Sequence, residues 1–231
     1  MELLALLLTF LYIACIIFIS SGLFRHNLIT ISSSDSLPKV SVVIAARNEE
    51  DNIAKVVDDL IRQEYPLDKL EVIIVNDRSE DKTGEILKKA DADYAFIKHL
   101  SIKERSPDMT PKKFALTTGI EFSDGEIILL TDADCRLGKL WVSSMVYSIV
   151  NKDAIVVGFS EIDDSFNPSL LFKLQKLDFF SILLANAGAA GWGYFWSGTG
   201  QNLGFFKKDF ISINGFNPVK DKVSGDDMYL V

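Results

Sequence analysis

Glu126-Ile-Ile-Leu-Leu-Thr-Asp-Ala-Asp-Cys135 is an apolar run that ends in two carboxylates. The run is typical of a buried strand in an α/β sheet. On both sides of it, apolar runs alternate with segments whose apolar residues recur at helical spacing, which predicts a mainly parallel sheet covered by helices on both faces. We predict strands at 39–46, 70–75, 94–100, 126–131 and 154–159, and helices at 50–63, 83–90, 113–122, 139–151 and 169–187.

Asp132 and Asp134 are two residues apart, so in an extended segment both carboxylates point the same way. Ligands of α/β sheets bind just beyond the carboxyl ends of the strands. Two carboxylates at that place can hold a hard divalent cation, which in turn can hold a diphosphate. An ordinary solvated turn is the alternative, because Asp is common in turns.

The chain has 231 residues, a net charge of −8 and two cysteines. The acidic balance argues against a nucleic-acid-binding protein, which usually carries a basic patch. Cys15 and Cys135 indicate neither a disulfide framework nor a zinc site. These values fit a protein that handles anionic substrates through a metal ion.

The N-terminus differs from the rest of the chain, because residues 3–19 are almost entirely apolar and the stretch extends to Phe24. That length is enough to span a bilayer. A cleaved signal peptide is the alternative, but its usual positive charge is missing from Met1-Glu2. The first basic residue after the stretch is Arg25, and the positive-inside rule then places the following domain in the cytoplasm. We expect a single helix spanning the inner membrane at 1–24, a linker at 25–37 and one cytoplasmic domain at 38–231.

A second polar loop, residues 76–81, follows the second predicted strand and therefore meets the same sheet edge. Within it, Asp77 can accept hydrogen bonds from a nucleobase or a ribose. A turn that caps the helix beginning at Thr83 is equally plausible for this loop in isolation.

The loop after the first predicted strand carries Ala45, Arg47 and Glu49. The small residue lets a ligand approach the backbone closely, the arginine can meet phosphate and the glutamate can meet a ribose. An ordinary helix N-terminus, where acidic residues favour the helix dipole, explains the same loop.

Two further charged pairs lie outside these loops. Lys112 and Lys113 can reach a diphosphate, or they form a solvated basic pair. Asp226 and Asp227 can supply a general base that deprotonates an incoming hydroxyl, or they form an exposed acidic turn. Three acidic loops, each after one of three successive core strands, are much less probable by chance than a single acidic loop.

The region from Val40 to Leu230 resembles the glycosyltransferase family 2 enzymes with the GT-A fold. Six segments carry the resemblance, and they appear in that family's order. They are Val42-Val-Ile-Ala-Ala-Arg-Asn-Glu-Glu50 (opening strand and nucleotide loop), Val75-Asn-Asp-Arg-Ser-Glu-Asp81 (the Asp-Asp-Gly-Ser-x-Asp loop), Lys112-Lys-Phe-Ala-Leu116 (the Lys-x-x-Ala-Leu element), Thr131-Asp-Ala-Asp134 (the metal-binding Asp-x-Asp), Gly200-Gln-Asn-Leu-Gly-Phe-Phe-Lys207 (the segment before the acceptor site) and Gly225-Asp-Asp-Met-Tyr-Leu230 (the Gly-Glu-Asp-x-x-Leu motif).

The resemblance implies an inverting transfer of a sugar from a nucleotide-diphosphate donor to a hydroxyl on a glycan, a polysaccharide or a lipid-linked acceptor, in cell-envelope glycan synthesis at the membrane. It implies Mg²⁺ or Mn²⁺ held by Asp134 and Asp132, with Asp132 shared with the donor ribose. It also makes Asp77 the ligand of the base, Lys112 the ligand of the diphosphate and Asp227 the catalytic base. The remaining implied substrate contacts are Ala45, Arg47, Glu49 and Asp226.

The chain departs from the family pattern at two positions. Arg78 stands where the family usually has glycine, so the loop around Asp77 is expected to differ, and Asp226 replaces the usual glutamate. The chain also stops at Val231, directly after its acidic motif. We therefore expect the natural protein to continue beyond this residue.

Residues 183–196 are unusually apolar for a surface loop. One interpretation is an element at the bilayer interface, where Trp and Tyr favour the headgroup region. The other is core packing beside the acceptor site, since aromatic clusters are usually buried.

Other protein classes remain possible. A metal-dependent nucleotidyltransferase also pairs carboxylates with a nucleotide, but it releases pyrophosphate. A membrane-tethered module that binds sugar nucleotides without catalysis would not need to retain every one of these aspartates. A Rossmann dehydrogenase is disfavoured, because no Gly-x-Gly-x-x-Gly motif follows the first strand.

Overall fold

The computed structural model describes residues 1–26, 37–163, 169–195, 197–222 and 229–230. The chain divides into two compact units, one drawn from 1–28 and 159–197 and the other from 29–158 and 198–231. Most of the predicted linker, as well as Asp226 and Asp227, lies outside the described residues. The predicted domain boundaries therefore stay a prediction.

The second unit is built on a six-stranded sheet with the order β3-β2-β1-β4-β6-β5. Strands β1 to β4 run parallel to one another, whereas β6 is antiparallel to both β4 and β5. The strands are β1 (Val40–Ala46), β2 (Leu70–Asp77), β3 (Ile97–Ile102), β4 (Ile127–Leu130), β5 (Val156–Val157) and β6 (Leu203–Phe206). The predicted mainly parallel sheet is confirmed.

Alternate residues of β1 enter two separate hydrophobic clusters, one on each face of the sheet. Val42 and Ile44 belong to the first cluster and Val43 to the second, and all three are fully buried. A strand covered on both faces reads as a continuous apolar run, which is why the sequence identified it. The covering helices are α2 (Ile53–Ile61), α3 (Thr83–Asp93), α4 (Pro111–Phe122), α5 (Trp141–Lys152) and α7 (Lys207–Ser212).

Helix α4 packs very closely on the sheet, because its Gly119 faces β1 and β2. A Cβ on this glycine would lie 2.5 Å from Cγ1 of Val43 and 3.1 Å from Cγ2 of Val75. The absence of a side chain therefore lets the helix approach the strands whose ends carry the polar loops.

The first unit contains α1 (Glu2–Gly22) and α6 (Leu170–Gly191). Helix α1 belongs to a 24-residue segment, Glu2–Arg25, with a mean hydropathy of 2.8. At 1.5 Å per residue this segment is long enough to cross a membrane, although a signal sequence near the N-terminus has the same properties. Helix α6 runs four residues past its predicted end, so the apolar stretch from Leu183 to Gly191 is helix rather than loop.

The end of α1 packs on the end of α6 through backbone contacts. A Cβ on Gly22 would overlap the carbonyl oxygen of Gly188, so only glycine permits this approach. Beside it, the ring of Trp192 stacks on Phe18 with centroids 4.7 Å apart and donates its Nε1–H to the Phe18 carbonyl at 2.9 Å. Arg25 lies over the same ring, with Cζ 4.4 Å from its centroid, and donates from Nε to the Gly191 carbonyl at 2.9 Å.

Candidate active site

A cavity of about 320 Å³ opens at the carboxyl edge of the sheet. Strand β1 lies between β2 and β4 in parallel register, so the loops that follow these three strands emerge side by side. Helix α4 begins beside them, and its Pro111, Lys112 and Ala115 also line the cavity. The predicted site residues that line this cavity are Ala45, Arg47, Glu49, Asp77, Lys112, Asp132 and Asp134.

The loops after β1 and β2 are joined by reciprocal hydrogen bonds. The Asn48 N–H donates to Oγ of Ser79 at 2.9 Å, and the Glu80 N–H donates back to Oδ1 of Asn48 at 2.8 Å. The Glu49 N–H donates to Oγ1 of Thr83, also at 2.8 Å. These bonds tie the two loops together ahead of α2 and α3, and the segments after β1 and at the end of β2 both line the cavity.

Asp77 ends β2 and is almost fully buried, with a side chain only 7% exposed. Its two carboxylate oxygens accept from the neighbouring Arg78, Oδ1 from Nε at 2.7 Å and Oδ2 from Nη2 at 2.9 Å. Arg78 has a φ of +56°, in the left-handed region that favours glycine. The expected difference in this loop is therefore a side-chain ion pair on a backbone that keeps a glycine-like conformation.

The structure separates the two lysines at the start of α4. Lys112 lines the cavity, where its Nζ lies 2.8 Å from Oδ1 of Asp132. Lys113 is only 1% exposed and donates to the carbonyl oxygen of Lys222 at 2.5 Å. Of these two lysines, Lys112 is the one that lines the cavity, and its role as a ligand of the diphosphate stays a prediction.

Asp132 and Asp134 lie in a turn rather than in an extended segment. Strand β4 ends at Leu130, and the Cys135 N–H donates to the Asp132 carbonyl at 3.3 Å to close the turn. Both carboxylates still line the cavity. Two carboxylates are the protein ligands that Mg²⁺ typically uses together with substrate phosphates, so these residues fit Mg²⁺ or Mn²⁺. Burial raises the pKa of the adjacent Cys135 thiol, which keeps it neutral.

Asp59, which no sequence motif pointed to, positions the chain that follows Asp134. This residue of α2 is 6% exposed and accepts from Nε of Arg136 at 2.6 Å, from Nη2 of Arg136 at 2.9 Å and from the Leu137 N–H at 3.0 Å. The arginine hydrogen bonds lower the pKa of the Asp59 carboxyl. The only hint in the local sequence was that Asp59 is an acidic residue next to the apolar positions of α2.

Asp59→Asn is expected to destabilise the fold by about 2 kcal/mol, because a hydrogen-bonded charge pair is lost at a buried position. Since the pKa of Asp59 is lowered in the folded state, its contribution is complete above the ordinary aspartate pKa of about 4 and disappears as the pH falls through the lowered value. Thermal unfolding of both proteins at pH 7 and near pH 3 measures this. A difference that stays constant over this range would contradict the role of the charge.

The sequence profile of glycosyl transferase family 2 matches residues 41–204, which cover β1 to β4 and every described residue of the predicted site. The chain belongs to glycosyl transferase family 2. The match begins at the second residue of β1 and ends within β6. The family 2 assignment made from the sequence motifs is therefore confirmed.

Individual relatives match shorter segments of this family 2 chain. A protein described as probable glycosyltransferase YdaM, from Bacillus subtilis, is 40% identical over 124 residues, which are 53% of this chain and 29% of that protein. A beta-monoglucosyldiacylglycerol synthase from Trichormus variabilis is 42% identical over 105 residues, 45% of this chain and 22% of that protein. The chain thus matches less than a third of the length of either relative.

A solved structure shows the same fold. It is the mannosyltransferase PcManGT from Pyrobaculum calidifontis in complex with GDP-Man and Mn²⁺, which superposes with a TM-score of 0.68 at 22% identity and covers 91% of this chain and 56% of that one. Together with the family match, this superposition confirms the predicted GT-A fold.

Proposed function

We propose that this chain is the catalytic part of an inverting, metal-dependent glycosyltransferase that moves a sugar from a nucleotide-diphosphate donor to a hydroxyl acceptor. One observation carries the proposal: Asp77, Lys112, Asp132 and Asp134 come from three separate segments, the end of β2, the start of α4 and the turn after β4, and line one cavity. Family membership alone would not require these four side chains to meet.

The donor is proposed to lie across the cavity. Asp77 and Glu49 would hold its base and ribose. The small side chain of Ala45 leaves the backbone after β1 accessible to them. Its diphosphate would lie toward Lys112 and Arg47, which supply positive charge from two sides. PcManGT, whose structure contains GDP-Man, makes such a donor reasonable for the same fold.

The proposed cation is Mg²⁺ or Mn²⁺ at Asp134 and Asp132. When bound, it would neutralise the negative charge that builds on the leaving nucleoside diphosphate. Nζ of Lys112 lies 2.8 Å from Oδ1 of Asp132, and this contact places the ammonium group next to the carboxylate pair. Lys112 would therefore stand close to the position of the diphosphate.

The proposed chemistry is an in-line displacement. Asp227 would take the proton from the acceptor hydroxyl while that oxygen forms a bond to the anomeric carbon of the sugar. The bond between this carbon and the phosphate oxygen would break on the opposite face, and the nucleoside diphosphate would leave with the electron pair. Asp226 would contact substrate beside it. Both acidic residues lie outside the described part of the chain, so their roles rest on the sequence motif.

The proposed location is the inner membrane, with α1 as a single visible span and the sheet unit in the cytoplasm. The apolar segment Glu2–Arg25 supports the span. A relative named for glycolipid synthesis supports an acceptor presented at a membrane. We therefore propose that the acceptor is a lipid-linked or growing glycan of the cell envelope. Membrane lipid would lie beside the protein, and no nucleic-acid partner is proposed.

The experiment that tests this function incubates the full-length protein with a panel of sugar nucleotides, with Mn²⁺ or with EDTA, and identifies the released product. We expect one nucleoside diphosphate to be released, in Mn²⁺ only. Release of pyrophosphate would instead indicate a nucleotidyltransferase. Donor binding without any release, in the presence of membrane lipids and glycan acceptors, would indicate a non-catalytic binding module.

A further inference from the structure

We propose that Arg78 is a positioning residue for the donor nucleobase, acting through the carboxylate of Asp77. The inference rests on the proposed function and adds a residue that the family pattern does not supply, since glycine is usual at this position. Arg78 lies outside the cavity lining, whereas Asp77 is part of it.

The contact between the two side chains is specific. The arginine uses Nε and Nη2 against the two different oxygens of one carboxylate, at 2.7 and 2.9 Å. The side chains of Asp77 and Arg78 are 7% and 16% exposed, so the pair is largely shielded from water. A two-point contact of this kind fixes both the position of a carboxylate and the rotation of its plane, which a single bond does not.

The fixed carboxylate can still bind a ligand. An ionised carboxylate has about four lone-pair sites, and the arginine occupies two of them. The remaining lone pairs can accept hydrogen bonds from a ring N–H or an amino group of a nucleobase in the cavity that Asp77 lines. Because carboxylate oxygens accept hydrogen bonds, the site would recognise the hydrogen-bond donors of the base.

The backbone at Arg78 has a conformation that is strained for any residue with a side chain. Its φ of +56° is unfavourable for a residue with a Cβ and unstrained for glycine. The loop does not need this side chain to hold its shape, because the Ser79 N–H donates to Oδ1 of Asn76 and the Glu80 N–H to Oδ1 of Asn48. A residue that strains a loop already held by other bonds points to a role in the site.

The test compares Arg78→Gly with the wild type in the full-length protein. Dissociation constants are measured by calorimetry for UDP, GDP, ADP, CDP and dTDP in Mn²⁺, and thermal unfolding is measured in parallel. For the tightest nucleotide we expect Arg78→Gly to bind about tenfold more weakly, the effect of one misplaced hydrogen bond to a charged group, at a temperature where both proteins are folded. Arg78→Lys keeps the charge but not the two-point geometry, so it should also weaken binding.

Asp153→Gly is the matched control, because Asp153 also has a left-handed φ, +45°, but ends α5 and does not line the cavity. It should leave nucleotide affinity unchanged. Affinity of Arg78→Gly within twofold of the wild type would overturn the inference. Inorganic pyrophosphate, which has no base, should bind Arg78→Gly and the wild type equally well. A loss of pyrophosphate affinity as large as the loss of nucleotide affinity would also overturn the inference, because Arg78 would then support the whole loop rather than the base. A wild-type protein that binds none of the five nucleotides would refute the proposed function itself.

Discussion

Replacing Asp134 with alanine is expected to weaken nucleoside diphosphate binding at least about tenfold in Mn²⁺ and to leave it unchanged in EDTA. The carboxylate lies in the turn after β4 and lines the cavity beside Asp132 and Lys112. Its loss removes one of the two acidic ligands proposed for the cation, whereas Lys112 can still meet the phosphates directly. Titration calorimetry of both proteins, with and without metal, measures the difference.

Asp124→Ala is a suitable control for the Asp134 variant. This aspartate is 75% exposed, pairs with Lys39 and precedes β4, at the opposite end of the strand from the cavity. It removes the same charge from the protein without touching the proposed site. Equal nucleotide affinity of wild type and Asp134→Ala in Mn²⁺ would refute the metal role of Asp134.

Asp227→Asn is expected to reduce turnover by roughly 10²–10⁴-fold while donor binding persists. The amide has nearly the shape of the carboxylate but cannot accept the proton of the acceptor hydroxyl. Only the rate of the chemical step should therefore fall. Single-turnover rates and nucleotide dissociation constants for the same preparation separate the two effects. The control is Asp221→Asn, an exposed aspartate a few residues earlier in the chain.

The opposite pattern at Asp227 would change the assignment. If Asp227→Asn lost nucleotide affinity in proportion to its rate, the residue would belong to the donor site. The general base would then have to be sought elsewhere in the full-length protein.

The parallel core was predictable because each of its strands leaves a recognisable apolar run in a short stretch of sequence. Residues such as Val42, Val43 and Ile44 are buried on alternate faces and therefore form an unbroken apolar run in the sequence. The ends of such strands share one edge, so the polar residues that follow them can be predicted to meet. The cavity lined by Asp77 and Asp134 bears out that reasoning.

Non-local contacts account for what the sequence did not predict. Strand β6 is only four residues long and owes its conformation to antiparallel pairing with β4, which no local pattern encodes. The pairing of Asp59 with Arg136 joins residues 77 positions apart. At Arg78, the departure from glycine was visible, but the ion pair with Asp77 depends on a left-handed backbone that sequence spacing does not specify.

The central claim is that the cavity at the carboxyl edge of the sheet is the donor site. The most direct measurement is an experimental structure of the full-length protein with Mn²⁺ and the nucleoside diphosphate that binds most tightly. The account predicts the base beside Asp77 and the diphosphate between Lys112 and the pair Asp132 and Asp134. A nucleotide bound outside this cavity, or a metal ion that touches neither aspartate, would contradict it.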